Sequence, residues 1–210
     1  MKTLTYTLLS DGSSDRTLMP ILNWLLNQHL PNVAVQARWA DRSRWPSPGA
    51  DLAERISLAL HWEPCDLLFI HRDAEKQSWE DRVTEIHEAI TKAKLNRPPV
   101  ICVVPVRMAE AWLLSQEAAI RAAAGNEAGT MSLAIPGSTK LEQLPDPKRL
   151  LLDLLRQASG LSGRRLRDFR PHKRIHDLAD RIDDFGYLRD LPAFQRLEEK
   201  LRSVIEQLNA

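Results

Sequence analysis

Apolar and polar positions fall in alternating blocks along the chain, and the blocks have two different periods. Residues 3–9 mix Thr, Tyr and Leu, which suits a pleated, half-buried strand. Between Asp15 and about Gln28, the residues Leu18, Ile21, Leu22, Leu25 and Leu26 form a stripe that predicts a helix. Pro20 lies within it and removes a hydrogen bond unless it sits in the first turn, so the helix is expected to start late or bend. A second strand is predicted over Val33–Trp39, then a loop over Ala40–Gly49 holding Arg42, Arg44, Trp45, Pro46 and Pro48. Asp51 then caps a helix, with Glu54 in capping-box spacing and Leu52, Ile56, Ala59 and Leu60 as its apolar face.

The stretch Leu67–Ile70 is too short an apolar run for a helix and suits a strand buried on both faces. It ends in His71, Arg72, Asp73, Ala74 and Glu75. Trp79–Lys94 follows as a helix, with Val83, Ile86, Ile90 and Ala93 on one face and Glu88 and Lys92 as a supporting pair. A fourth strand is expected at Val100–Val104, bracketed by Pro98, Pro99 and Pro105. Another helical region opens at Arg107–Trp112 and ends near Gly125.

This alternation predicts an α/β fold, a Rossmann-like parallel sheet of about four strands covered by helices on both faces. Residues 1–124 carry that domain. Residues 125–147, with Gly129, Pro136, Gly137, Pro145 and Pro147, read as a connector of little regular structure. Residues 148–210 form a C-terminal helical extension. Asp146-Pro147 announces its first helix, with Leu150, Leu151, Leu154 and Leu155, and the last runs from about Pro192.

Bulk properties narrow this only slightly. With 210 residues, 43% hydrophobic, 27% charged and a net charge of +1, the chain reads as an ordinary globular protein whose overall charge names no partner. Cys65 and Cys102 lie in strand-like surroundings without metal-ligand spacing, as reduced thiols of a cytoplasmic protein do. The first residues lack the pattern of a signal peptide, and no apolar run approaches the ~20 residues of a membrane span. A cytoplasmic protein without membrane contact is the expectation.

In a parallel sheet all strand ends of one kind lie on the same side, so residues distant in sequence become neighbours there. The first strand delivers Asp11 and Asp15; the second leads to Asp41, Arg42 and Arg44; the third delivers His71, Arg72, Asp73 and Glu75; the fourth leads to Arg107 and Glu110. Carboxylates in this number suit a hard divalent cation, and arginines beside them suit phosphate. Each residue also has a plainer reading. Asp15 can be a helix cap, Asp73 and Glu75 a solvated loop paired with Arg72 and Lys76, His71 a packed histidine, and Glu110 a complement to its helix dipole.

An acid-Gly turn after the first strand, here Asp11-Gly12, and an acidic pair spaced one apart after the third, here Asp73-Ala74-Glu75, together resemble the TOPRIM domain. More narrowly, Asp11-Gly12-Ser13-Ser14-Asp15, His71-Arg72-Asp73-Ala74-Glu75 and the stretch Pro105–Trp112 are similar to small prokaryotic TOPRIM-like proteins associated with ATPases and phage defence. The resemblance covers about residues 1–115. It implies a metal-dependent nuclease of the overcoming-lysogenization-defect type, with Mg²⁺ or Mn²⁺ as cofactor. It assigns Asp11 the acid/base role and Asp73 and Glu75 the metal role, with Asp11 also counted among the ligands. Glu110 is added here as a further ligand. Asp11 stands where the family has Glu, and Glu75 where it has Asp.

Arg164, Arg165, Arg167, Arg170, Lys173 and Arg174 form the strongest charge cluster of the chain. Together with Arg42, Arg44, Arg72 and Arg107 they are expected to contact the phosphates of DNA or RNA. The plainer reading pairs them with Asp177, Asp180, Asp183 and Asp184. The leading function is thus a metal-dependent nuclease of a defence system. The alternative is a non-catalytic TOPRIM-like module that partners an AAA- or ABC-type ATPase. A small-molecule phosphotransferase ranks below both, because no Walker-type or G-x-G-x-x-G loop is present.

Overall fold

The computed structural model describes residues 3–45, 51–96 and 98–209; Pro46 and Pro48 of the arginine-bearing loop, and Ala210, lie outside them. Four strands, β1 (Thr3–Leu9), β2 (Ala34–Trp39), β3 (Leu67–His71) and β4 (Val100–Val103), form one all-parallel sheet in the order β2-β1-β3-β4. The α/β fold and the parallel sheet are therefore as the hydrophobic pattern predicts. Tyr6 pairs with Leu67 and His71 with Val103, so β3 ends level with its neighbours.

Side chains alternate across a strand, and each face has its own cover. Tyr6, Leu8, Leu67, Phe69, Ile101 and Val103 face α1 (Leu18–His29) and the helices of the C-terminal third. Leu9, Leu68 and Ile70 face Ile56 and Ala59 of α2 (Leu52–Trp62) and Ile86 and Ala89 of α3 (Trp79–Lys92). The 3₁₀ turn Ser13–Thr17 comes before α1, and Pro20 is the third residue of α1, where its missing N–H has no intrahelical partner to lose. Asp51 caps α2 by accepting from the Glu54 amide at 2.9 Å. Lys92 reaches across to Asp51 at 2.6 Å; the expected pairing with Glu88 gives way because α2 and α3 pack side by side.

Beyond β4 the single expected helix is two pieces, a 3₁₀ turn at Ala109–Leu113 and α4 (Glu117–Ala123). Residues 125–147 contain one further 3₁₀ turn, Ser138–Gln143, and bury Leu133 and Leu141. The helical extension comprises α5 (Pro147–Ala158), α6 (Gly163–Asp168), α7 (Ile175–Asp180) and α8 (Pro192–Asn209), with 3₁₀ turns at Pro171–Arg174 and Gly186–Asp190. Its apolar residues, among them Leu151, Leu155, Leu178, Phe194 and Leu201, belong to the same core as Tyr6 and Phe69. Among the described residues no helix is long and apolar enough to cross a membrane.

Candidate functional site

The chain leaves β1 toward β2 on one side, and β3 lies on the other, so the β1/β3 boundary is the switch point of the sheet. Loops leaving adjacent strands diverge there and open a crevice. In this chain the crevice is a cleft of ≈ 370 Å³ lined by Asp11, Gly12, Ser14, Asp15, His71, Arg72, Asp73, Glu75 and Arg82. The first and third strands therefore meet as expected. Inside the cleft the four acids have different surroundings.

Asp11 is held by arginines. Its Oδ1 lies 2.8 Å from a terminal nitrogen of Arg55 and 3.2 Å from one of Arg72, and its carbonyl accepts from Arg42 at 2.7 Å. Arg55 is buried and also donates to the Ser10 carbonyl at 3.0 Å. The chain of charges continues from Arg72 to Glu85 at 3.1 Å and from Glu85 to Arg82 at 2.7 Å. Arg82 then donates to the Asp73 carbonyl at 2.9 Å.

Asp73 turns inward. It accepts from the Ala109 amide at 2.9 Å, and its carboxyl is pushed up to about 6, first by burial and then by the negative charges of Asp15 and Glu110. His71, the last residue of β3, has Nδ1 3.0 Å from the Val103 carbonyl. A carbonyl only accepts, so Nδ1 carries a proton there and Nε2 is the nitrogen left to face the cleft. That nitrogen points at Asp73 (3.5 Å) and Asp15 (3.9 Å). Asp15 is not the cap of α1, a position held by Thr17; it lies within the Ser13–Thr17 turn, where its carboxylate accepts from the Gly12 amide at 2.9 Å and borders the cleft.

Glu75 points outward, with its side chain 63% exposed and 3.8 Å from Arg82. Its φ of +53° and that of Arg107, +69°, place both in the left-handed region, where the Glu75 amide donates to the Arg107 carbonyl at 3.1 Å. The acidic pair is thus split, one carboxylate facing in and the other facing solvent. Glu110, buried in the turn after β4, meets Lys148 of α5 at 2.8 Å. Burial pulls the Lys148 ammonium down, but Glu110, Asp15 and Asp73 outweigh it and hold it above its ordinary range.

The inward acids Asp15, Asp73 and Glu110 are all hard oxygen donors, the kind a divalent cation takes, and the negative charges of Asp15 and Glu110 bear on Asp73. Among the described residues no group of three or more His, Cys, Asp or Glu side chains is arranged to hold a metal ion, and Glu110 is paired with Lys148.

The basic segment is exposed over Arg164, Arg165, Arg167, Arg170, Lys173 and Arg174. Arg165, Phe169, Arg170, Lys173 and Arg174 line a shallow depression, and the Arg174 guanidinium lies 5.9 Å from the Phe169 ring. Arg164 pairs with Asp168 at 3.8 Å, whereas Asp177 pairs with Arg181 at 3.1 Å and not with the basic segment. Pro171–Arg174 packs on α5, and α7 packs on Ser13–Thr17, so the segment is mounted on elements that also carry Lys148 and Asp15. Arg44 lies away from the cleft, 3.6 Å from Glu63.

Sequence reasoning missed Arg55, Arg82 and Lys148. Arg55 precedes Ile56 within the buried stripe of α2, a weak sign that a charge is drawn inward. Lys148, in the first turn of its helix, carries no local sign at all. No protein-family model, no curated protein and no solved structure matches the chain.

Proposed function

We propose that the protein is a divalent-cation-dependent phosphodiesterase that cleaves nucleic acid, acting as a prokaryotic anti-phage defence effector in the cytoplasm. The observation that carries this reading is the meeting of Asp11, Asp15, Asp73 and Glu75 in one cleft at the β1/β3 switch point, beside the arginine chain of Arg55, Arg72 and Arg82, with the charge of Glu110 bearing on Asp73 from the turn after β4. The acids would hold Mg²⁺ or Mn²⁺. When bound, such an ion supplies Lewis-acid polarisation of a phosphoryl oxygen and a nucleophile near neutral pH.

The chain's own residues supply the rest. Arg72 and Arg82 offer guanidinium N–H groups to phosphate oxygens, and Arg55 and Glu85 keep the network in place. His71 offers Nε2 as a proton acceptor, fixed by its bond to Val103. The basic segment over Arg164–Arg174, whose Pro171–Arg174 turn packs on α5, would give the phosphate backbone a track. Asp11 holds arginines in this scheme, which sets aside the acid/base and ligand roles that the resemblance implies for it. Glu75 stands at the rim.

The test is a cleavage assay on plasmid, single-stranded DNA and RNA with Mn²⁺, run in parallel on Asp73→Asn protein and with EDTA. Cleavage is expected to disappear in both controls; cleavage that survives both overturns the proposal. One observation favours a non-catalytic module that docks on an AAA- or ABC-type ATPase: Asp11 and Glu110 are each already engaged by cationic side chains. A stable ATPase complex, together with no heat of Mn²⁺ binding in calorimetry, would select that reading.

A further inference from the structure

The basic segment is built from two short helical pieces, α6 and the Pro171–Arg174 turn, joined at Phe169 and Arg170. Pairing with the aspartates that follow it in the chain would be the ordinary fate of such a cluster. Two of them are engaged elsewhere, Asp177 with Arg181 at 3.1 Å and Asp184 with the Gly186 amide at 2.8 Å. Among the described residues no carboxylate pairs with Arg165, Arg167, Arg170, Lys173 or Arg174. Four of these cations line one depression of ≈ 640 Å³, and Asp168, which pairs with Arg164, is the one acid among its described lining. Its apolar lining is Leu161 and Phe169. Phe169 packs partly on the core, its amide donates to the Arg165 carbonyl at 3.1 Å, and the Arg174 guanidinium lies over its ring. A half-buried aromatic is thus anchored among cations that have no anion of their own.

Unpaired cations of one sign repel each other, and a polyanion laid across them relieves that repulsion and releases counter-ions. The aromatic adds a second demand. Phenyl rings and guanidinium planes stack on the flat faces of bases, and in a duplex those faces are hidden inside the stack. Only an unpaired strand uses both features at once. A lipid surface would call for well-exposed apolar side chains, whereas Leu161 and Phe169 are only partly exposed. We infer that this depression takes a single-stranded nucleic acid, with phosphates on Arg165, Arg170 and Lys173 and one unpaired base stacked on the Arg174–Phe169 pair. This deepens the nuclease reading above by naming the strand, and rests on that reading for the polymer being nucleic acid. A duplex meets the same cations through its phosphates but gains nothing from Phe169.

The experiment measures binding in EDTA by fluorescence anisotropy, with labelled oligothymidylate and oligouridylate of about 12 nucleotides and a DNA duplex of equal length. Wild type is compared with Phe169→Leu, which keeps an apolar side chain on the core, and with the double variant Arg165→Gln, Lys173→Gln. Phe169→Leu is expected to weaken single-strand binding about fivefold or more, the lower end of what one base–aromatic stack contributes, and to leave duplex binding unchanged. The double variant is expected to weaken both. A second arm irradiates wild type with an oligonucleotide carrying 5-iodouracil and finds the adduct by peptide mass spectrometry; it is expected on the peptide holding Phe169. Equal effects of Phe169→Leu on single strand and duplex, an adduct confined to other peptides, or tighter binding of polyglutamate or phosphatidylserine vesicles each overturns the inference. Single-strand binding with that adduct, by a protein that cleaves nothing with Mn²⁺, overturns the nuclease reading and leaves the inference standing. The crosslinking arm needs no variant, so a misfolded Phe169→Leu protein does not blunt the test.

Discussion

Arg55 reaches from α2 to place its guanidinium 2.8 Å from the Asp11 carboxylate, and the two side chains are buried to very different depths, 7% against 44% exposed. Burial pulls the Arg55 guanidinium below its ordinary range, with Asp11 opposing that shift. Deleting the carboxylate therefore strands a buried cation, whereas deleting both partners does not. Asp11→Ala is expected to cost about 1–3 kcal/mol in urea denaturation. In an Arg55→Met background the same change should cost about 1–2 kcal/mol less. Additive effects of the two substitutions would show that the pair is not coupled. A practical corollary is that lost activity in an Asp11 variant does not by itself make Asp11 a catalytic residue.

Asp73 makes the stability of the fold depend on pH. Its folded-state value of about 6 lies above the ordinary 3.8, so the folded protein holds the proton more tightly than the unfolded chain. The associated stability is present in full below the unfolded value and is lost as pH rises through about 6. Asparagine keeps an oxygen for the Ala109 amide and carries no charge. In EDTA-treated buffer above pH 6, Asp73→Asn should exceed wild type by about 1–3 kcal/mol, with the gap closing near pH 4. A gap that does not change with pH would refute this account.

Glu198 has the opposite sign. Burial pushes its carboxyl up, but Arg189 (2.9 Å) and His29 (2.8 Å) more than compensate and hold it below the ordinary 4.5. Its contribution is present above the unfolded value and is lost as pH falls below about 4.5 through the folded one. Glu198→Gln should flatten that acid limb of a melting-temperature profile while lowering the plateau at neutral pH. An acid limb as steep as that of wild type would count against the assignment.

The basic segment makes a prediction about salt. Replacing Arg165, Arg170 and Lys173 by Gln removes three exposed cations from one depression. If they neutralise phosphates, the slope of log affinity against log salt for duplex DNA should fall by about two to three, at about 0.9 for each phosphate no longer neutralised. An unchanged slope would return these residues to the role of a solvated face.

The parts of this molecule that are legible in sequence are those governed by local period. The buried run at Leu67–Ile70 could only be an inner strand, and its abrupt polar end correctly marked the edge where Asp11, Asp15 and Asp73 gather. Asp146-Pro147 and Asp51 announced their helices because capping is decided within one turn. The illegible parts are pairings between residues far apart in the chain. Arg55 meets Asp11 from α2, and Lys148 meets Glu110 from the first helix of the C-terminal extension, whose packing on the sheet or as a small subdomain hydrophobic spacing leaves open. The acidic pair Asp73 and Glu75 looked like one unit, yet the positive φ at Glu75 turns the second acid away, which spacing alone does not reveal. Leu133 and Leu141 sit among prolines and glycines that mask their burial.

One apolar core runs from Tyr6 through Trp112 to Val204. A gene fragment ending near residue 124 would therefore yield a polypeptide with a bare greasy face on one side of its sheet, and without the lysine that pairs with Glu110. Such a fragment should be recovered from cells in inclusion bodies, and the helices that look like an appendage in the sequence are the wrapping without which the sheet has no shelf life.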